Sequence, residues 1–142
     1  MQELHRSAYE FIEFYPEQSL VKYVVTRESR DMVWPDMQHA LLQFARILRQ
    51  TKPENVLVDA VHFEHLLFKD MQKWINDNLI IAMNEVKLKK WAIIVPHQFL
   101  TQVSIEQTMA ANPSNTFEAQ YFEEEEEARL WLDLPLQHHE VG

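Results

Sequence analysis

Two short runs of almost continuous apolar residues constrain the fold of this chain more than any other feature of its sequence. They span residues 55–60 (Asn-Val-Leu-Val-Asp-Ala) and 90–95 (Lys-Trp-Ala-Ile-Ile-Val). A strand that is apolar on both faces is typical of the interior of a parallel sheet, where helices cover both sides. The stretch between the two runs repeats apolar residues at helical spacing, so the sequence predicts a β-α-β unit.

The flanking segments extend this unit into an α/β domain with a single mixed sheet. Residues 11–15 and 20–26 are rich in aromatic and β-branched residues around a turn, which predicts an antiparallel hairpin. Alternation over residues 117–122 predicts a half-exposed strand near a sheet edge. Helical spacing predicts four helices, at residues 34–48, 68–86, 98–111 and 123–134. We therefore expect about five strands and about four helices. They form one domain over residues 1–134, followed by a flexible tail at 135–142.

The apolar stripes of the two middle helices predict which side chains are buried. The stripe of the helix at 68–86 consists of Phe68, Met71, Ile75, Leu79, Ala82 and Val86. In the helix at 98–111, the residues predicted to point inward are Phe99, Val103 and Met109. Trp74 lies on the flank of the first stripe, so we interpret it either as a partner or self-association surface or as a cover for the sheet edge.

The scarcity of glycine and cysteine disfavours several classes of enzyme. Gly142 is the only glycine, whereas phosphate loops, dinucleotide-binding turns and nucleophile elbows all need glycine. Turns with positive φ are then expected on asparagines, at Asn55, Asn78, Asn112 and Asn115. Without cysteine the chain has no disulfide, thiolate metal site or cysteine nucleophile, and a reducing, cytoplasmic location is expected.

Charge and hydropathy narrow the range of partners. The chain has 13 basic and 22 acidic residues and a net charge of −9, which disfavours binding to nucleic acid. Its apolar stretches are far shorter than the roughly 20 residues of a membrane helix, so no membrane span is expected. The first residues also lack the pattern of a secretory signal. The glutamates at 123–127 are interpreted as a solvated first turn of the last helix.

Histidines and acids cluster at the predicted carboxyl ends of the two apolar strands. Asp59 ends the first strand, His62, Glu64 and His65 follow it, and His97 follows the second strand. Ligands bind at this end of the strands in open α/β sheets, so we predict that these residues form a ligand-binding site. Imidazole and carboxylate also suit zinc or iron, but the spacing matches no metal motif, and ordinary polar contacts are the simpler interpretation. We assign no catalytic residue, metal or cofactor.

Four segments together resemble the STAS/SpoIIAA-like superfamily, in its branch of small stand-alone bacterial proteins. They are Val-Leu-Val-Asp-Ala at 56–60, Trp-Ala-Ile-Ile-Val-Pro at 91–96, Ser-Ile-Glu-Gln-Thr-Met at 104–109, and the closing Tyr-Phe-Glu-Glu-Glu-Glu-Glu-Ala-Arg-Leu-Trp-Leu at 121–132. The resemblance implies an open sheet with helices packed on it. Anti-sigma-factor antagonists in this superfamily carry a phosphorylated serine after the central strand. Residues 62–70 contain no serine or threonine, so that switch is not implied here.

Three hypotheses of function follow. The resemblance and the lack of catalytic motifs favour a non-enzymatic protein-interaction or regulatory module, which would have a protein partner or self-associate. The second hypothesis is a carrier of a small molecule or lipid, as in the distantly related CRAL-TRIO domains. Four tryptophans, eight phenylalanines and six methionines could line its cavity, although their positions also fit an ordinary core. The third is a metal-assisted or acid–base enzyme at His62, His65 and His97.

Overall fold

A six-stranded sheet in which sequential strands are neighbours organises the computed structural model, which describes residues 1–135. Its strands are β1 (Gln2–Arg6), β2 (Glu10–Tyr15), β3 (Leu20–Val25), β4 (Asn55–Asp59), β5 (Lys90–Ile94) and β6 (Glu118–Phe122). The first three strands are antiparallel, and β3 to β6 run parallel. The expected mixed α/β fold with an antiparallel hairpin is confirmed, while most of the predicted tail, residues 136–142, lies outside the described residues.

Helices make every crossover between the parallel strands. The crossover helices are α1 (Trp34–Thr51), α2 (Lys69–Ile75), α3 (Ile81–Glu85) and α4 (Phe99–Ala110), and α5 (Glu125–Trp131) follows the last strand. A π-helical turn at Asn76–Ile80 joins α2 to α3, so residues 69–85 form one uninterrupted helix. We call this helix the central helical segment. None of the helices in residues 1–135 is long and apolar enough to cross a membrane.

Helices cover the two faces of the sheet unequally. On one face, side chains such as Val56 and Trp91 pack with α1, the central helical segment and α4 in the larger core. On the other face, Leu57 and Ala92 pack with Ala128 of α5 in a smaller core. Both faces of β4 and β5 are therefore dry, which is what the two apolar runs predicted.

The edge strand β1 was missed by the sequence analysis. It pairs with β2 through a register shift between Glu3 and His5, and only Leu4 packs against the larger core. Because β1 contributes only one large apolar side chain, its sequence lacks the alternation of apolar and polar residues that predicts a strand. At the opposite edge lies β6, as predicted.

The π turn changes the buried face of the central helical segment. Phe68, predicted to belong to the apolar stripe, precedes α2 and is 59% exposed. Ile80, the last residue of the turn, and Met83, which follows it, are buried although the regular stripe omitted them. A π turn forms i→i+5 hydrogen bonds and so rotates the residues that follow it, an effect that a constant helical period does not capture.

The buried face of α4 carries hydroxyl groups beside Met109, which is buried as predicted, whereas the prediction that Phe99 points inward is wrong. Phe99 is 73% exposed, whereas Thr101, Ser104 and Thr108 are buried. Their burial is possible because the hydroxyls of Ser104 and Thr108 donate to the carbonyl oxygens of Thr101 and Ser104, at 2.9 and 2.8 Å. Small side chains with satisfied hydroxyls let α4 lie close to the rest of the molecule.

Positive φ falls at none of the four expected asparagines, so that prediction is wrong. The non-glycine residues with positive φ are Ser19, Lys52, Lys87 and Asp133. At Lys52, which follows α1, the backbone N–H donates to the carbonyl oxygen of Leu48 at 2.8 Å. Left-handed residues of this kind end helices by satisfying a free carbonyl, and here the geometry of the helix end outweighs residue preference.

Buried charges attach α5 to the sheet. The Glu125 carboxylate lies 3.1 Å from Nζ of Lys22 on β3 and 2.8 Å from Nε of Arg129. Arg129 is 2% exposed and Lys22 is 9% exposed. Burial alone would raise the pKa of Glu125, but the hydrogen bonds and positive charges of Arg129 and Lys22 outweigh it and lower the pKa below its usual value.

Replacing Glu125 with glutamine is expected to destabilise the fold by about 1 to 3 kcal/mol at neutral pH, because two buried cations lose their counter-charge. A lowered folded-state pKa means that the stabilisation is present above the unfolded pKa and is lost as the pH falls through the folded one. The free energy of unfolding is measured by urea denaturation. The gap in this free energy between the wild type and Glu125→Gln should therefore narrow below about pH 4. Glu126→Gln, at an exposed neighbour, is the control. A gap that stays constant with pH, or one equally large for the control, would contradict this assignment.

Candidate functional site

An apolar cavity of about 110 Å³, partly open to the surface, lies at the larger core, between the sheet and the helices on that face. Tyr23, Val58 and Ile93 line it from three neighbouring strands, and Met37 and Phe44 line it from α1. All the lining side chains that the described chain contributes are neutral. The cavity is therefore a place for an uncharged group.

The central helical segment and the end of β4 account for much of the cavity's shape. Ile75 is the last residue of α2 and Leu79 belongs to the π turn, and both side chains line the cavity. π turns inside helices occur frequently at functional sites. Facing them after β4 is Ala60, whose methyl group fills little volume.

Few polar groups reach the cavity lining. The Trp91 side chain is 5% exposed, and its indole N–H has no hydrogen-bond partner within residues 1–135. Tyr23 is 6% exposed; burial raises the pKa of its hydroxyl far above the ordinary range, and the nearby Glu10 carboxylate raises it further. The hydroxyl of Thr108 already donates to its own helix. Tyr23 is thus a neutral phenol throughout the physiological range.

The loop that follows β4 borders the cavity at the carboxyl ends of the strands. Phe63 and Leu67 of this loop line the cavity. His65, between them, donates from Nε2 to the carbonyl oxygen of Ser29 at 2.7 Å. The backbone N–H of Leu67 donates to Oγ of Ser104 on α4 at 3.2 Å. His65 and Ser104 therefore position the loop over the cavity.

Two of the predicted site residues, Glu64 and His65, lie together at the surface. They line a groove of about 310 Å³ whose other walls include Trp34, Met37 and Phe68. Met37 also lines the apolar cavity, so the groove and the cavity are neighbours. The tendency of open sheets to bind ligands at the carboxyl ends of strands therefore pointed to the surface groove next to the cavity. His65 itself makes a structural contact that holds the loop after β4.

The other three predicted residues have separate environments. Asp59 alternates with Val58 on β4, so it faces the smaller core, and its carboxylate accepts from the backbone N–H of Val61 at 3.2 Å. His62 is half-buried and His97 is exposed. In the described part of the chain, no three histidine, aspartate or glutamate side chains form a group that could hold a metal ion. That these residues bind a common ligand stays a prediction.

Trp74 packs against α1 and is half-buried. Its ring meets that of Trp34 edge to face, with centroids 5.4 Å apart. With its amide oxygen turned toward the two rings, Gln38 accepts hydrogen bonds from both indole N–H groups, at 3.3 Å from Trp34 and 3.2 Å from Trp74. The indole therefore joins the central helical segment to α1, and its role as a partner surface stays a prediction.

Comparison with known proteins identifies no protein similar to this chain. No family model, curated protein or solved structure matches the chain. The resemblance to the STAS/SpoIIAA-like superfamily accordingly stays a prediction, and the geometry of the site is the basis for the function proposed next.

Proposed function

We propose that this protein binds a small, uncharged and mainly apolar molecule in the cavity of its larger core. The observation that carries the proposal is the cavity of about 110 Å³ with its neutral, apolar lining. Protein interiors pack as densely as organic crystals, and voids larger than a water molecule are few in any domain. Left empty, a space of this size destabilises a protein by about 2 to 3 kcal/mol.

Water is a poor occupant of such a space. A buried water molecule needs two to four polar partners, and the polar groups along this lining are sparse. An apolar cavity of roughly 150 Å³ engineered in another protein stays dry and takes up benzene or xenon. The size of the present cavity therefore points to a molecule of about one six-membered ring.

The lining supports binding rather than chemistry. The described lining residues are neutral, and the raised pKa of Tyr23 keeps its phenol protonated. A general base or a nucleophile needs a group that is ionised, or readily deprotonated, near the operating pH. We therefore assign the cavity to a carrier or sensor of its ligand.

Filling the cavity tests this function. Ala60→Leu places three more carbon atoms in the cavity, and we expect it to weaken the binding of benzene at least tenfold, with Ala60→Val intermediate. The measurement is the benzene dependence of the melting temperature together with amide chemical-shift titration, since a ligand of the folded state stabilises it.

Ala110→Leu makes the same change on the exposed face of α4 and serves as the matched control. It should bind benzene as the wild type does. A wild-type protein that shows no response to benzene, or an Ala60→Leu variant that binds it undiminished, would rule out the cavity as a binding site. Because Ala60→Val adds only two carbons, it keeps the test informative if the leucine variant does not fold.

A second candidate function is interaction with another protein, and the orientation of α4 favours it. Phe99 and Leu100 are 73% and 66% exposed in its first turn, while its hydroxyl-bearing residues are buried. Large apolar side chains that a helix turns outward are typical of surfaces covered by a partner. The net charge of −9 makes a basic protein the electrostatically complementary partner.

Replacing both Phe99 and Leu100 with serine is expected to abolish capture of such a partner from the native host, because the apolar anchors are lost. Leu130→Ser is the control, since Leu130 is 63% exposed on α5 and lies away from α4. Capture is measured by quantitative affinity purification, with circular dichroism to verify folding. Equal capture by the wild type and the double variant would contradict this second function.

A further inference from the structure

We propose that the ligand of the cavity carries an aromatic ring, which the lining recognises through methionine thioethers and aromatic side chains. This inference rests on the proposed function, because it concerns the same cavity. It narrows the ligand class to neutral molecules with one benzene-type ring, in preference to saturated rings of the same size.

Methionine is concentrated at the cavity. The chain has six methionines, and three of them, Met32, Met37 and Met109, line this one space. Each is 6 to 8% exposed and so keeps some accessible surface, whereas Met83 in the same core is fully buried. The sulfur of methionine is polarisable and makes favourable contacts with aromatic rings. Because a saturated ring offers no such contact, the three thioethers favour an aromatic occupant.

Aromatic side chains supply the second part of the lining. Tyr23 and Trp91 come from the sheet, Phe44 comes from α1, and Phe63 follows β4. The rings of Tyr23 and Phe44 already pack together, with their centroids 4.6 Å apart. Aromatic rings have a negative face and a positive edge, and pairs of them gain stability beyond the area that they bury. A ligand ring between the sheet and α1 gains the same attraction, whereas a saturated ring gains only burial.

Burial alone predicts the opposite preference. Methylcyclohexane carries more hydrogen atoms than toluene on the same carbon skeleton, so it has more apolar surface to remove from water. The described lining residues are neutral, so no charge favours either compound. Tighter binding of toluene therefore needs a cause other than burial, and replacing a lining methionine identifies that cause.

The dissociation constants of toluene and methylcyclohexane, measured by amide chemical-shift titration, test this proposal. We expect the wild type to bind toluene more tightly. We expect Met109→Leu to reduce this preference, expressed as the ratio of the two constants, by about 2 to 10 times. Leucine keeps the volume and apolar character of methionine but removes the sulfur, so the binding of methylcyclohexane should change little.

Met83→Leu is the matched control. Met83 is buried in the same core but lies outside the lining that residues 1–135 form, so this variant should keep the wild-type ratio. Met37→Leu repeats the test at a second lining position and should lower the ratio as Met109→Leu does.

The methyl resonances of methionine give an independent reading in the wild-type protein. An aromatic ring shifts the signals of nearby nuclei through its ring current, and a saturated ring has no such current. Toluene should therefore move the ε-methyl signals of Met32, Met37 and Met109 more than that of Met83, and methylcyclohexane should move them far less. This reading decides the matter even if the variants do not fold.

The possible outcomes separate the two proposals. If neither compound binds the wild type, the proposed function fails and this inference with it. Only this inference is overturned if methylcyclohexane binds at least as tightly as toluene, or if both leucine variants at the lining keep the wild-type ratio. Toluene binding that leaves the three lining methyl signals unmoved would overturn it as well.

Discussion

The parallel pairing of β4 with β5, dry on both faces, is the constraint on which the rest of the structure depends. Parallel neighbours require a crossover, which here is the helical segment at 69–85 packed on one face of the sheet. The second face of these strands must also be shielded from solvent, and α5 covers it. The contacts among Lys22, Glu125 and Arg129 attach α5 there. All three helical crossovers share one face, and the cavity lies where they meet the sheet.

Much of this architecture could be predicted because local sequence reports it. The runs at 55–60 and 90–95 identified the central strands, since strands buried on both faces are apolar at nearly every position. The errors have local physical causes. Leu4 alone marks β1, the π turn breaks the period after Ile75, and Ser104 and Thr108 can be buried because their hydroxyls bond to their own helix.

Part of the candidate site could likewise be predicted from the sequence, and part of it could not. The position of Glu64 and His65 followed from the tendency of open sheets to bind ligands at the carboxyl ends of strands, and they do line a groove there. The sequence offered a cavity only as an alternative to an ordinary core and could not locate it, because Tyr23, Ala60 and Trp91 occupy positions that look identical in sequence whether the space between them is filled or empty. The volume of the void depends on the distance between the helices and the sheet, and that distance cannot be predicted from a single sequence.

Diffraction from crystals equilibrated with xenon under pressure tests the central claim most directly, because xenon enters apolar cavities without needing hydrogen bonds. The account predicts xenon density in the larger core, in contact with Val58, Ile93 and Met109. A core without xenon at that place, with side chains closed over the space, would contradict it.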